Sequence, residues 1–498
     1  MNVNPITRLD YPDPDVIRVE DTYYMVSTTM HFMPGCEILQ SFDLVHWEHV
    51  TYVYETLDHT DAQQLKSGQN IYGQGMWAAS LRYHEGRFCI CFVANDTRKT
   101  YLYTSEKIDG PWKKQLIEGF YHDGSLLFDE DGRNYIVYGN DEIWITELNE
   151  DLTAPKKDGL HRLLVSDHKN PELGYEGSHI QKINGYYYIF LIHSLRDRWM
   201  RTEACFYSDS LEGEFTGGDV LCDDRGYCGQ GVAQGGIVDT PDGKWYAMLF
   251  QDSGAVGRLP ILLPVTWKDH FPVFGQNGHV PEEIEVHSTR PGYIYQPLVG
   301  SDDFCNGLLP RWQFNHDPDP RYYHLDALQG TYTITTREVC TELTQAVNTL
   351  TQRMSYPSCA AEVTVDASAL KEGDVAGLCA LQSCYAAVGI TKHHGKYEVL
   401  MLDKKEDGIL DMTEGTVVES HQMDFRLEAD FCNMKDEARC YYRVNKGDWL
   451  PIGTVHKLYF KLDHFTGCRF GLFCYAAEET GGSACFRDFK YYDVDEIS

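Results

Sequence analysis

Five segments among the first 300 residues share one form, and this repetition leaves few folds open to the chain. Each segment has a short residue cluster, a β-rich run, a turn and a second run rich in aromatic residues. The first runs occupy residues 12–18, 77–83, 122–128, 175–181 and 233–239. They begin 45 to 65 residues apart, which is the length of one four-stranded propeller blade. We therefore predict five blades arranged around one axis.

The turn inside the repeats carries a hairpin signal. The pairs Glu85-Gly86, Asp131-Gly132, Asn184-Gly185 and Asp242-Gly243 stand between the two runs of the last four repeats. Glycine accepts the positive φ that tight hairpin turns require. These pairs predict that the first two strands of each blade are antiparallel neighbours.

The sequence changes character near residues 285–302, and the repeat does not recur from Asp303 onward. Alternating runs at residues 360–365, 397–401, 457–462 and 468–473 predict further strands. We therefore expect an all-β chain with two domains, a five-bladed β-propeller at residues 1–298 and a β-sandwich at residues 303–498. Aromatic residues make up 13% of the chain, which suits both β structure and sugar binding.

Acidic residues recur just before the first strand of the repeats. Alignment of the five segments places Asp13, Ala78, Asp123, Glu176 and Gln234 at this position. The innermost strands of a propeller converge on one channel, so equivalent positions face one another around its axis. We therefore expect Asp13, Asp123 and Glu176 to share one pocket.

Three carboxylates in one pocket destabilise a fold, because like charges in a partly desolvated site raise at least one pKa. A glycosidase uses this arrangement, since it needs one protonated carboxylic acid and one ionised carboxylate at the same pH. A single acidic residue before a strand is commonly a turn or capping residue. Three at one repeat position indicate an active site.

The net charge limits the classes of partner that the protein can bind, and the pattern of cysteines indicates its cellular compartment. The formal net charge of −32 repels phosphate backbones and anionic lipid, so we expect no nucleic-acid or membrane partner, whereas a small neutral oligosaccharide is unaffected. Residues 1–15 lack the apolar segment of a signal peptide, and the sixteen cysteines follow no pattern. We expect a cytoplasmic protein. The oligomeric state stays open, and a homo-oligomer is one alternative.

The motifs around these residues resemble the family 43 glycoside hydrolases over nearly the whole chain. The matching elements are Tyr11-Pro12-Asp13-Pro14, Phe42-Asp43-Leu44-Val45-His46-Trp47, Trp77-Ala78-Ala79-Ser80, His122-Asp123, Glu176-Gly177-Ser178-His179, and Gly257-Arg258 leading to Pro264-Val265-Thr266-Trp267. The resemblance implies a five-bladed propeller followed by a concanavalin-like β-sandwich. It also implies an inverting exo-acting β-xylosidase or α-L-arabinofuranosidase that releases terminal xylose or L-arabinofuranose from xylan-derived oligosaccharides.

The resemblance assigns roles to the three acidic residues. Asp13 matches the general base, which activates a water molecule, and Glu176 matches the general acid, which protonates the leaving-group oxygen. Asp123 matches the carboxylate that orients the acid and tunes its pKa. Because family members invert the anomeric configuration, the base and the acid should stand about 6.5–9.5 Å apart.

The resemblance also suggests substrate-binding residues. Arg258 matches a residue that binds substrate hydroxyls, and Trp77 matches a wall beside the terminal sugar. His31 and Phe32, together with Met30, lie in a loop where the family has aromatic subsite residues. Near the start of the sandwich, the candidates to approach the pocket rim are Phe304, Trp312, Phe314 and His316.

Two positions depart from the family pattern. Ala79 stands where many members have proline, and Gln234 stands near a histidine that many members associate with a channel cation. A neutral amide binds a hydrated metal less well than imidazole does. We expect no required cofactor and no metal ligand among the site residues. A structural Ca²⁺ held through waters in the channel is the one metal left open.

Other functions fit the same fold. A catalytically inert sugar-binding propeller would have lost the acid or the base, and both are present here. An endo-arabinanase would usually lack the appended sandwich. A retaining enzyme related to invertases would need a nucleophilic aspartate, normally in an Asn-Asp-Pro-Asn string that this sequence lacks.

Overall fold

The computed structural model describes residues 3–413 and 415–493. The predicted domain ends at residues 1–2 and 494–498 lie outside this part of the chain. The described residues form β-strands joined by loops and by four single-turn 3₁₀ helices at Lys66–Gly68, Gly254–Val256, Leu343–Gln345 and Cys432–Met434. None of these helices is long or apolar enough to cross a membrane.

The first half of the chain folds into the five predicted blades, each a four-stranded antiparallel sheet. The first stretch supplies β1 (Asp15–Val19), β2 (Thr22–Val26), β3 (Phe32–Met33), β4 (Gly35–Ser41) and β5 (Glu48–Tyr54), of which β3 lies outside the blade. The second blade contains β6 (Met76–His84), β7 (Arg87–Ala94), β8 (Lys99–Ser105) and β9 (Lys113–Ile117). The third contains β10 (Ser125–Phe128), β11 (Asn134–Asn140), β12 (Glu142–Leu148) and β13 (His161–Ser166).

The remaining two blades complete the propeller. The fourth contains β14 (Glu176–Ile183), β15 (Tyr186–Ser194), β16 (Arg201–Ser208) and β17 (Thr216–Leu221). The fifth contains β18 (Val232–Asp239), β19 (Trp245–Asp252), β20 (Arg258–Lys268) and β21 (Phe271–Phe274). The all-β class and the five blades are therefore confirmed.

Hairpin turns inside the blades follow the glycine pairs. Glu85 and Gly86 between β6 and β7 have φ of 49° and 78°, and Asn184 and Gly185 between β14 and β15 have φ of 51° and 85°. Two consecutive positive φ values are typical of a type I′ turn, whose twist matches that of paired strands. These turns set the register that points alternate side chains towards the neighbouring blades.

The second half of the chain is a two-sheet sandwich. Its strands are β22 (Gln313–Asn315), β23 (Tyr323–Asp326), β24 (Thr331–Thr335), β25 (Leu350–Arg353), β26 (Ser358–Asp366), β27 (Asp374–Leu381), β28 (Ala386–His393), β29 (Lys396–Lys404), β30 (Leu410–Met412), β31 (Thr416–Val418), β32 (Gln422–Asp430), β33 (Glu437–Val444), β34 (Leu450–Lys457), β35 (Arg469–Ala476) and β36 (Ser483–Asp493). A nine-stranded sheet runs β3-β22-β25-β35-β27-β28-β29-β30, with β31 also on β29. A seven-stranded sheet runs β23-β24-β36-β26-β32-β33-β34.

Apolar side chains of both sheets form the sandwich core, among them Val363 and Leu378, which are 1% and 0% exposed. The predicted strand at residues 457–462 is wrong beyond its first residue, because β34 ends at Lys457. The chain there turns away as a loop, in which the N–H of Phe465 donates to the carbonyl of Lys461. This loop reaches the propeller.

The two domains share a buried junction. Strand β3, from the first blade's loop, pairs with β22 and so joins the nine-stranded sheet of the sandwich. Arg353 of β25 donates to the carboxylate of Glu37 at 2.8 Å and to the carbonyl of Asp10 at 2.9 Å. Its guanidinium also lies 4.0 Å from the ring centre of Tyr11. The sandwich is thus fastened to the segment that precedes β1.

Candidate active site

Three innermost strands bring the predicted acidic residues to one end of the propeller. Asp13 lies two residues before β1, Asp123 lies two residues before β10, and Glu176 is the first residue of β14. Asp13 and Asp123 are each 6% exposed, and the side chain of Glu176 is 21% exposed. The charges of Glu176 and Asp13 both act on the pKa of Asp123. The three carboxylates therefore share one electrostatic environment.

The repeat alignment is wrong by one residue at Glu176. Backbone N–H groups of Leu126 and Ile180 donate to serine hydroxyls of the preceding blades, which makes these two residues equivalent. Three residues before them stand Asp123 and Gly177, both with a left-handed backbone at φ of 48° and 66°. Glu176 therefore holds the position that His122 holds in the third blade.

Glycine is required at position 177 by its neighbour. A Cβ there would lie 2.7 Å from Cδ of Gln234, well inside van der Waals contact. Gly177 occupies the left-handed position of this blade and has no side chain, so the carboxylate comes from the preceding residue, Glu176. This shift places Glu176 beside His122.

Asp13 is paired with a buried cation. Nη1 of Arg258 donates to Oδ1 of Asp13 at 3.0 Å, and the hydroxyl of Thr28 donates to Oδ2 at 2.5 Å. Arg258 is only 2% exposed, and its own backbone N–H donates to Asp10. Asp13 therefore has a charged partner on one carboxylate oxygen and a hydroxyl donor on the other.

Asp123 and His122 form a second charged pair. Nε2 of His122 lies 3.5 Å from Oδ2 of Asp123, which also accepts the N–H of Gly177 at 3.0 Å. Burial, together with the charges of Glu176 and Asp13, raises the pKa of Asp123 to about 6 in spite of His122. Burial lowers the pKa of His122, but the neighbouring carboxylates outweigh it and raise that pKa to about 9. The resemblance leads us to expect the raised pKa on the acid Glu176, with Asp123 as its cause, whereas the structure gives a raised pKa for Asp123 itself.

Glu176 is the most accessible of the three. The amide of Asn140, the last residue of β11, donates to Oε2 of Glu176 at 2.7 Å. Nε2 of His122 lies 3.5 Å from the same oxygen. Glu176 therefore has polar neighbours at one carboxylate oxygen and keeps an open side towards solvent.

Aromatic residues from both domains wall this pocket. The ring of Trp77 lies 5.7 Å from the rings of both His122 and Phe465. Phe465 comes from the sandwich loop after β34, and its ring centre lies 4.4 Å from the guanidinium of Arg258. Trp77 and Arg258 thus stand where the sequence predicts substrate-binding residues. Sequence reasoning missed Phe465, because no blade motif marks a loop of the second domain.

His31 and Phe32 lie deeper in the domain junction. The guanidinium of Arg469 lies 3.5 Å from the ring centre of Phe32, which is 2% exposed. His31 is fully buried against Tyr72 and His316. These contacts give Phe32 a packing role between the domains, which differs from the sugar-contacting role predicted for it.

The predicted rim residues at the start of the sandwich are also buried. Phe304 packs against Trp312 in the sandwich core, and Phe314 lies in the same core cluster. His316 is fully buried, and its Nε2 accepts the N–H of Ile71. The prediction that these four residues line the rim is wrong, because their apolar faces complete the sandwich core and the domain junction. Phe465 reaches the pocket in their place.

The guanidinium of Arg82 occupies the propeller channel beneath the pocket. Nη1 of Arg82 donates to Oδ2 of Asp15 at 2.7 Å, and Nη2 donates to the hydroxyl of Ser125 at 2.8 Å. Oδ1 of Asp15 faces Nδ1 of His179 at 3.1 Å. Both carboxylate oxygens are therefore already paired, and Gln234 is packed against Gly177. These residues do not fit a channel Ca²⁺.

His122, Asp123 and Glu176 offer nitrogen and oxygen atoms that all lie within 4.8 Å of one another. Amide N–H groups of Gly177 and Asn140 already donate to the two carboxylates. One oxygen of each carboxylate is thus already engaged by a protein donor.

Two carboxylates in different settings, one paired with a guanidinium and one open to solvent, are the arrangement that hydrolases of glycosidic bonds use. Comparison with family models gives the same class. Residues 3–272 match the glycosyl hydrolases family 43, and residues 301–492 match the β-xylosidase C-terminal concanavalin A-like domain. The chain belongs to glycoside hydrolase family 43.

Relatives with known names support this class. A β-xylosidase of Formosa agariphila is 26% identical over 99% of this chain and 89% of its own. The solved structure of a bifunctional GH43-CE protein of Bacteroides eggerthii is 42% identical with a TM-score of 0.92, covering 98% of this chain. This chain spans 63% of that protein. An active-site-engineered GH43 glycoside hydrolase that displays endo-xylanase and exo-arabinofuranosidase activity is 27% identical with a TM-score of 0.86, covering 99% of both chains.

Proposed function

We propose that this glycoside hydrolase is an inverting exo-enzyme that releases terminal xylose, L-arabinofuranose or both from xylan-derived oligosaccharides. Asp13 is the general base, Glu176 the general acid, and Asp123 the carboxylate that orients the acid. The observation that carries this proposal is the contrast between the two reacting carboxylates. Asp13 is buried on Arg258, whereas Glu176 is partly exposed and hydrogen-bonded to a neutral amide.

The contrast corresponds to the two roles that inversion needs. Asp13 removes a proton from a water molecule, whose oxygen attacks the anomeric carbon from the face opposite the leaving group. As the glycosidic C–O bond breaks, its electron pair stays on the leaving oxygen, which takes the proton of Glu176. Arg258 then keeps its hydrogen bond to Asp13 and is placed to bind a sugar hydroxyl.

A closed side of the pocket supports exo action. Phe465 stands between Trp77 and Arg258, and its carbonyl accepts a hydrogen bond from Arg258 at 3.4 Å. The loop that carries it is held to the propeller two residues further on, where the Gly467 N–H donates to Asp10 at 2.8 Å. A pocket closed by a second domain accepts a chain end rather than the middle of a polymer. This arrangement favours an exo-enzyme over an endo-arabinanase.

The choice of sugar is inferred from the relatives, which include a β-xylosidase and an enzyme with exo-arabinofuranosidase activity. We propose that the substrate is a small neutral oligosaccharide and that no resident metal takes part, since Arg82 supplies the positive charge of the channel. All sixteen cysteines are free thiols, which is consistent with the cytoplasmic location proposed here.

The test is hydrolysis of nitrophenyl β-xyloside, nitrophenyl α-L-arabinofuranoside and xylobiose by the purified chain and by Glu176→Ala. We expect turnover of at least one glycoside by the wild type. On xylobiose, or on the natural disaccharide that the wild type cleaves, Glu176→Ala should lose on the order of 10²-fold or more in kcat. Nitrophenol needs less help from an acid, so the loss on nitrophenyl substrates should be smaller.

Glu172→Ala is the matched control, because Glu172 is an exposed carboxylate four residues upstream. It should keep wild-type kinetics. A wild-type protein that cleaves none of the three substrates would contradict the proposed activity. Full activity of Glu176→Ala on the disaccharide would remove Glu176 from its role as the acid.

A further inference from the structure

His122 lies between Asp123 and Glu176, the two carboxylates of the site that do not contact Arg258. Its Nε2 lies 3.5 Å from Oδ2 of Asp123 and 3.5 Å from Oε2 of Glu176. The His122 side chain is 19% exposed, and its ring centre lies 5.7 Å from that of Trp77. Its contacts identify it as part of the pocket wall, yet neither the base nor the acid role needs it.

The charge balance of the pocket indicates why a positively charged His122 is needed. Asp13 is neutralised by Arg258 at 3.0 Å. Among the residues that the structure describes, no lysine or arginine donates to Asp123, and its positively charged neighbour is His122. With His122 positive, the pocket carries two cations and three carboxyl groups, so its net charge is zero when one carboxyl holds a proton. Asp123 is buried at 6% exposure, so the carboxyl that can pass this proton to a substrate is the more accessible Glu176.

Within the described part of the chain, the carboxyl groups that face His122 come from three blades. Asp123 follows it in its own segment, Glu176 comes from the fourth blade, and Asp13 from the first. Trp77 from the second blade covers one side of its ring without bearing a charge. Arg258 is engaged with Asp13 and with Phe465. An imidazole nitrogen that faces two carboxylate oxygens is favoured as an N–H donor and therefore as an imidazolium.

We propose that His122 is a positioning residue for the hydrolysis, which as an imidazolium holds Asp123 and Glu176 apart and stabilises the carboxylate that Glu176 becomes in the transition state. The inference rests on the proposed function and deepens it. His122 keeps its own proton throughout. The proton that reaches the leaving oxygen comes from Glu176, and the proton of the water goes to Asp13.

This role has a signature in the pH profile. At 3.5 Å and with water-like screening, two unit charges interact by about 1 kcal/mol, which corresponds to about one pH unit. Loss of the imidazolium charge should therefore move the alkaline fall of kcat/KM to higher pH, because one cation fewer in the pocket opposes protonation there. It should also slow the reaction of poor leaving groups, since the new carboxylate is less stabilised.

The kinetic experiment compares the full-length wild type with His122→Asn and His122→Gln, which keep a polar side chain but cannot carry the charge. We expect the alkaline limb on xylobiose to rise by about one pH unit, and kcat to fall about 10-fold or more. The fall on nitrophenyl xyloside should be smaller. His161→Asn is the control, because His161 is an exposed histidine stacked on Trp144 in the third blade. It should change neither value.

A spectroscopic measurement tests the same claim without relying on activity. In protein with ¹³C-labelled histidine, the ring signal absent from His122→Asn should titrate above pH 8, in line with the pKa of about 9, and should titrate lower in Glu176→Gln. An imidazole neutral at pH 7, or an active wild type whose alkaline limb is unmoved in both His122 variants, would overturn the proposal. A wild type with no activity on any glycoside would instead refute the proposed function itself.

Discussion

The ion pair of Arg353 with Glu37 offers a quantitative test of how contacts between the sandwich and the propeller stabilise the protein. Replacement with methionine removes the guanidinium from Glu37, a carboxylate that is 3% exposed. Removing one partner of a buried ion pair costs about 3–5 kcal/mol. Because Nδ1 of His49 remains 3.0 Å from Glu37, we expect the lower end, about 3 kcal/mol. At about 2 °C per kcal/mol for large domains, Tm should fall by about 6 °C.

Differential scanning calorimetry of the full chain measures this fall. Arg133→Met is the matched control, because the side chains of Arg133 and Asp131 form an ion pair with 45% and 44% exposure. Exposed pairs contribute about 0–1 kcal/mol, so that variant should change Tm little. Glu37→Gln combined with Arg353→Met removes both charges and should recover part of the loss. The reasoning is refuted if Arg353→Met loses no more than Arg133→Met.

The pH dependence gives a second check on the same pair. Burial raises the pKa of Glu37, but Arg353 and His49 outweigh it and lower that pKa from 4.5 to about 2. A carboxyl with a lowered pKa stabilises the fold above its unfolded-state value and loses this contribution as the pH falls through the folded value. The gap in Tm between wild type and Arg353→Met should therefore be constant above pH 5 and should narrow below about pH 4.5. A gap that widens on acidification would contradict the assignment.

Three further outcomes are expected. Asp123→Asn should raise the free energy of unfolding at pH 8 by about 1–2 kcal/mol while activity falls, because the ionised form of a carboxyl with a raised pKa destabilises the fold above pH 6 and not below 3.8. Denaturant unfolding at pH 8 and at pH 4 measures this difference. Equal effects at both pH values would contradict the expectation. Phe465→Ala should raise KM about 10-fold, since the wall beside the terminal sugar is lost; unchanged steady-state kinetics would show that the loop does not bind substrate. Chelation with EDTA should leave kcat and Tm unchanged, whereas restoration of lost activity by Ca²⁺ would show that Arg82 does not replace a channel cation.

The fold was largely predictable from local signals. The repeats at residues 12–18 to 233–239 became the innermost strands of the five blades, and pairs such as Asn184-Gly185 became type I′ turns. Propeller symmetry then brings residues that are distant in sequence to one pocket, which is why Asp13, Asp123 and Glu176 could be selected without coordinates. The one-residue error at Glu176 arose because an acidic residue and the left-handed glycine after it are both typical of the same turn.

What the sequence could not show depends on contacts between domains. Phe465 lies three residues after the run at 457–462 that alternates like a strand, and only the turn of the chain against the propeller brings it to Arg258. Phe304 and Trp312 were expected at the rim because they are aromatic and near the domain boundary, yet the sandwich core needs their volume. The sequence shows His122 only as part of the His122-Asp123 motif, because its charge depends on two carboxylates that approach it in space.

The stereochemistry of the first product tests the use of Asp13 as base and Glu176 as acid most directly. ¹H NMR can follow the anomeric proton while the wild type cleaves a β-xyloside, before mutarotation mixes the anomers. We predict that α-xylose forms first, or β-L-arabinofuranose if the α-L-arabinofuranoside is the substrate, because Asp13 directs water to the face opposite the leaving group. Release of β-xylose from the β-xyloside would require a covalent intermediate and would contradict the assignment of both residues.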